Sequence, residues 1–172
     1  MNQINSLGGW GEFASLGMVE DGYENWESTK YQATHHQFVA CAKATKLAHE
    51  IDAGMQIGMM LGDDALYPAT CRPEDVFANT QRMQMSIYFY SDVLLRGEYP
   101  GYALRYFKDH QIQIHAKEEE LKLLKEHPAD FLSFSYYFTR IVDASQPQPK
   151  EIRIWKPLSG AGLPILSDSE TL

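Results

Sequence analysis

Asp130-Phe131-Leu132-Ser133-Phe134-Ser135-Tyr136-Tyr137-Phe138 is the stretch on which the fold turns. Its nearly continuous run of apolar and aromatic side chains is what a strand buried on both faces requires. A second run of this kind, Met55-Gln56-Ile57-Gly58-Met59-Met60-Leu61, lies well upstream between turn-forming residues. Helical patterns fill the interval. Two such strands separated by helices predict an α/β fold with parallel pairing through helical crossovers.

Working outward, Glu24 to Glu50 reads as a long helix with Tyr31, His35, Phe38, Ala42, Thr45 and His49 on one face. Asp52-Ala53-Gly54 ends it, with Gly54 as the expected left-handed cap. Asp63-Asp64 is expected in a strand-end loop with no assigned role, and Tyr67-Pro68-Ala69-Thr70 in an extended loop. Pro73-Glu74-Asp75 opens a second helix, since proline suits a first turn and acids suit the helix dipole. Val76, Phe77, Thr80, Met83, Ile87, Tyr90, Val93 and Leu94 form its expected apolar face, and Arg96-Gly97 closes it. Tyr102 to His110 is a short helix. Ala116 to Glu126 is another, charged outside, with Leu121 and Leu124 facing inward; His127-Pro128 stops it.

The 172 residues, 44% of them hydrophobic, suffice for one domain. A formal net charge of −8, with no basic stripe, argues against nucleic acid as a partner. No apolar run approaches the ~20 residues of a membrane span, so a membrane partner is not expected. Met1-Asn2-Gln3-Ile4-Asn5 lacks the features of a signal peptide. Cys41 and Cys71 have no zinc or redox spacing and fit free thiols in a reducing cytoplasm.

Several strings resemble one family in its own order: Asn2-Gln3-Ile4-Asn5, Tyr31-Gln32-Ala33-Thr34-His35-His36-Gln37, Ile57-Gly58-Met59-Met60, Tyr67 to Val76, Asp92-Val93 with Gly97, Tyr99 and Pro100, and Asp130 to Tyr137. They are similar to family 1 glycoside hydrolases, specifically the 6-phospho-β-glucosidases. The resemblance implies a partial (β/α)8 TIM barrel, from about the end of strand 4 through strand 6, over residues 1–150. Residues 151–172 do not match; their prolines and Ser159-Gly160-Ala161-Gly162 predict a disordered tail.

The implied chemistry is hydrolysis of β-glucosides phosphorylated at the 6-position, with no cofactor. Retaining glycosidases use two carboxyl groups about 5–5.5 Å apart, one an acid and one a nucleophile. The family's acid falls at Gln3, whose carboxamide releases no proton at useful pH. An inactivating change, a sequence error and a myrosinase-like specialisation would each explain it. By resemblance Asn2 contacts the sugar 2-hydroxyl, Tyr137 the nucleophile, and Ser135 stands where many relatives carry Asn. The nucleophile and the phosphate grip fall beyond strand 6, so the isolated chain is expected to be inactive. Alternatives are a non-catalytic sugar-binding remnant and a structural remnant that self-associates through exposed barrel edges.

Other features favour plain roles. His35, His36 and His49 lack ligand spacing and fit helix packing better than a metal site. Met55, Met59, Met60, Met83 and Met85 fit core filling. Trp10 and Trp26 are weaker candidates for stacking on a sugar face.

Overall fold

The computed structural model describes residues 22–146. Helix α1 spans Trp26–Ile51. Asn25 fixes its start by accepting the Ser28 N–H at 2.9 Å, which satisfies one of the donors a helix leaves open. The predicted face is found: Tyr31, His35, Phe38, Ala42 and Thr45 are buried. The end differs from expectation. Asp52 turns extended at φ −149°, and its carboxylate accepts the Gly54 N–H at 2.8 Å. A short side-chain turn thus replaces a left-handed Gly54 cap.

Strand β1 spans Gly58–Pro68 and β2 spans Phe131–Val142. They pair in parallel from Gly58↔Phe131 to Pro68↔Val142. Asp63-Asp64 and Tyr67 therefore lie inside β1, not in loops as expected. Pairing with β2 holds that backbone extended, and Ala69 N–H adds a 2.8 Å bond to Val142 O. Between the strands come α2 (Pro73–Met83), one π-helical turn (Gln84–Tyr88), α3 (Phe89–Arg96), α4 (Gly101–Asp109) and α5 (Glu118–Glu126).

The π turn corrects the predicted apolar face. A wider turn shifts the phase of the residues around it. In α2 it is Asp75 and Ala78 that are buried, while Val76 and Phe77 are exposed. Beyond the π turn Phe89, Tyr90, Val93 and Leu94 point inward. In α5 Leu124 is buried as expected. Leu121 is exposed, and Leu123 packs on the core in its place.

The core sits among α1, α3, α4 and β1. Edge-to-face rings join Tyr31 to Phe107 at 4.8 Å, Phe38 to Phe89 at 5.5 Å and Phe89 to Phe107 at 5.8 Å. Such pairs add roughly 0.5–1.5 kcal/mol each to the burial of their area. Among the described residues Met59 is fully buried and Met85 packs against the core, while Met55 is exposed. His35 is buried against Tyr99 and Glu120. His49 Nε2 lies 2.9 Å from Asp130 Oδ2, which also accepts the Ile57 N–H at 2.7 Å. His35 takes the packing role expected of it, while His49 is partly exposed. Among the described residues no group of His, Cys, Asp and Glu is placed to hold a metal ion.

Gly97 closes α3 in the left-handed region at φ 71°. A Cβ there would lie 2.3 Å from the Leu124 carbonyl oxygen. At Gly58 the nearest atoms to a Cβ belong to the Phe131 ring, which is 46% exposed and able to swing aside. Gly97→Ala is expected to cost about 2–4 kcal/mol, combining left-handed strain with overpacking against backbone. Gly58→Ala should cost clearly less. Urea unfolding of both variants checks the order, and equal losses would contradict it.

Candidate functional site

The strand register sorts β1 and β2 into two faces. Met59 pairs with Leu132 and Leu61 with Phe134, and the helices cover Met59 and Leu61. The opposite face therefore carries Gly58, Met60 and Gly62 from β1, with Phe131, Ser133 and Ser135 from β2, because alternate residues of a strand point to opposite sides. This face is small and partly polar. Ser133 Oγ donates to Met59 O at 3.1 Å, and Ser135 Oγ lies 3.8 Å from Met60 Sδ.

Tyr137 is the residue at which the register slips. Asp63 pairs with Tyr136 and Asp64 with Phe138, so Tyr137 is the extra residue of a bulge in β2. Bulges bend a strand and re-aim its residues, and they recur beside active sites. Ser135 and Tyr137 thus share β2, two residues apart, at the point where its regular pairing breaks. Asn2 and Gln3 lie outside the described residues, as does Trp10. Trp26 opens α1, its ring 5.5 Å from that of Tyr23 and 5.7 Å from Lys30 Nζ.

The sequence reading missed Asp75, treating it only as a first-turn acid. Its carboxylate has no exposed surface. It accepts the Thr70 hydroxyl at 2.5 Å, the Ala144 N–H at 2.9 Å and an Arg72 guanidinium N–H at 3.4 Å. Those three bonds, that of Thr70 foremost, hold the Asp75 carboxyl down at about 2. The cluster joins the exit of β1, the start of α2 and the exit of β2. Thr70 five residues before Asp75 was a visible local signal; Ala144 was not. Farther along α2, burial and the charge of Arg140 in β2 push the Arg82 guanidinium below its ordinary value.

What the arrangement offers chemically is a scaffold: two parallel strands whose exits are tied together, with a partly polar face that ends in a bulge. In closed parallel barrels the reacting groups stand at this end of the strands.

A family model described as glycosyl hydrolase family 1 matches residues 6–157. Aryl-phospho-β-D-glucosidase BglH of Bacillus subtilis (strain 168) is 41% identical over 160 residues, which are 92% of this chain and 33% of that protein. Phospho-cellobiase of Klebsiella oxytoca is 44% identical over 140 residues, 81% of this chain and 30% of its own length. β-Glucosidase A of Acetivibrio thermocellus, with no phosphate in its name, is 32% identical over 114 residues. The chain therefore spans about a third of the length of the relatives it matches. A β-glucosidase structure from Exiguobacterium marinum superposes with a TM-score of 0.63 at 21% identity, over 83% of this chain and 32% of that one. That likeness shows a shared fold, and this chain is a partial α/β piece of it.

The Asp75 carboxyl has a folded value below its ordinary 3.8, so the stability it adds is present above that pH and is lost as pH falls toward about 2. Asp75→Asn should be less stable than the parent at pH 7, with the gap closing between pH 4 and 2. Urea midpoints across this range check it; a gap independent of pH would contradict it.

Proposed function

Because the chain belongs to glycosyl hydrolase family 1, we propose that it is a piece of a 6-phospho-β-glucosidase barrel, covering about the end of strand 4 through strand 6. Hydrolysis of the O-glycosyl bond of 6-phospho-β-glucosides is then the activity of its lineage. The observation that carries the substrate class is the gradient of identity: 41% and 44% to relatives named for phosphorylated glucosides, 32% to one named for glucosides alone. We take residues 1–150 as the barrel piece and 151–172 as a tail of different composition. Cys41 and Cys71 form no disulfide, which fits a cytoplasmic location. No described helix is long and apolar enough to cross a membrane.

In this reading Asn2 binds the sugar 2-hydroxyl, Gln3 occupies the acid position, Tyr137 contacts the nucleophile, and Ser135 stands where many relatives carry Asn. A carboxamide at Gln3 forfeits general-acid help worth about 10² to 10⁴ in rate. The nucleophile would come from outside the matched third of the barrel.

Two assays test this. The chain alone, and its Gln3→Glu variant, should not hydrolyse a chromogenic 6-phospho-β-glucoside; turnover comparable with a complete enzyme would refute the fragment reading. Conversely, grafting this chain with Gln3→Glu into the matching third of a complete 6-phospho-β-glucosidase should preserve preference for the phosphorylated substrate. Reverting Glu to Gln there should slow hydrolysis by about 10² to 10⁴. A graft that prefers the unphosphorylated glucoside would sink the substrate assignment.

A second reading concerns the isolated chain and rests on β2. Leu132, Phe134 and Tyr136 are 43%, 62% and 50% exposed on the side that helices cover over β1. Each strand pairs on one edge only among the described residues. Parallel strands are ordinarily covered on both faces, and open edges recruit further strands. We propose self-association through this surface. Sedimentation should give a mass above 19.6 kDa that rises with concentration; a monomer at every concentration would overturn it.

A further inference from the structure

His35 stands in the middle of α1 with no exposed surface. Its Nδ1 lies 2.8 Å from the Tyr99 hydroxyl and its Nε2 3.4 Å from Glu120 Oε2. Tyr99 belongs to the turn after α3. Glu120 belongs to the first turn of α5, where the same oxygen accepts the Lys117 N–H at 2.9 Å and so completes the helix start. One imidazole therefore ties three elements together.

Only one protonation state satisfies every group. Glu120 is a carboxylate and can only accept, so Nε2 must carry the hydrogen. Nδ1 is then a lone pair, and Tyr99 is its donor. A hydroxyl, an imidazole and a carboxylate in this order resemble a nucleophilic relay. The chemistry runs the other way, because burial pushes the Tyr99 phenol above its ordinary value and keeps it a neutral donor.

We propose that His35 is a pH-sensitive latch: in its neutral Nε2–H form it fastens the Tyr99 turn and the start of α5 to α1, and acid releases them. A proton added at Nδ1 would face the Tyr99 O–H, setting donor against donor. The groups that face the ring are Glu120 and, through it, Lys117 from α5, His36 from α1, and Tyr99 from the turn. Burial opposes the charge most, His36 adds to that opposition, and the Glu120 carboxylate works against both; the balance holds His35 below its ordinary 6.5. The sign follows. Stability from the neutral ring is full above 6.5 and is lost as pH falls below it, since the opened segment takes up the proton more readily. Release is local. Gln32 still holds His115 through its N–H at 2.6 Å and its carbonyl at 3.3 Å, and the strand ladder makes no use of His35.

Amide hydrogen exchange and imidazole ¹⁵N shifts of the full chain between pH 7.5 and 5 test this. The ring should show the Nε2–H tautomer at pH 7.5 and titrate below 6.5. Corrected protection should fall with acid at Tyr99 and in α5 before it falls in β1 and β2. His35→Gln keeps a donor toward Glu120 and an acceptor for Tyr99 but cannot titrate, so this acid step should vanish. An Nδ1–H ring, titration at or above 6.5, unchanged α5 protection, or an acid step that persists in His35→Gln would each overturn the latch. Should His35→Gln fail to fold, the ring shifts of the parent chain decide the matter.

Discussion

The parallel ladder between β1 and β2 governs everything else in this molecule. Neighbours that run the same way cannot be joined by a tight turn, so the chain must leave Pro68, cross back, and re-enter at Phe131. Helices α2 to α5 are that return path. The ladder also sets the faces: Met59 and Leu61 must go to the helices, which leaves Met60, Gly62, Ser133 and Ser135 on the other side.

Two carboxylates secure the ladder at its ends. Asp130 takes the Ile57 N–H and faces His49, which ties the entrances of both strands to α1. Backbone bonding from Ile57, more than the charge of His49, holds the Asp130 carboxyl below its ordinary value. Asp75 does the same at the exits through Thr70 and Ala144. A buried carboxylate costs free energy unless its oxygens are matched by donors. Each acid takes one donor from a segment far off in the chain, the Ile57 N–H for Asp130 and the Ala144 N–H for Asp75, so its full set of bonds forms only when the strands are correctly placed.

The kinship with family 1 glycoside hydrolases explains what is complete here and what is open. The core under α1, α3 and α4 is filled by interlocking rings. The same side of β2 presents Leu132, Phe134 and Tyr136 to solvent. Among the described residues, the helices cover β1 on that side but leave these side chains of β2 open.

The sequence by itself determined what depends on near neighbours. The apolar run at Phe131 marked a strand, but not the burial on both faces expected of it, since Phe131, Leu132, Phe134 and Tyr136 are exposed; the spacing of Tyr31, Phe38 and Ala42 marked the inner face of α1, and Gly97 marked a helix end. Matched strings in order were enough for the family. Tertiary structure alone decided that Asp63-Asp64 and Tyr67 belong to β1, because a partner strand holds them extended. It placed Val76 and Phe77 outside, because a π turn shifts the helix phase. It put Tyr137 in a bulge and gave Asp75 its third donor from Ala144. The physical reason is range: periodicity and capping act over a few residues, whereas register, bulges and buried polar partners depend on segments that only the folded chain brings together.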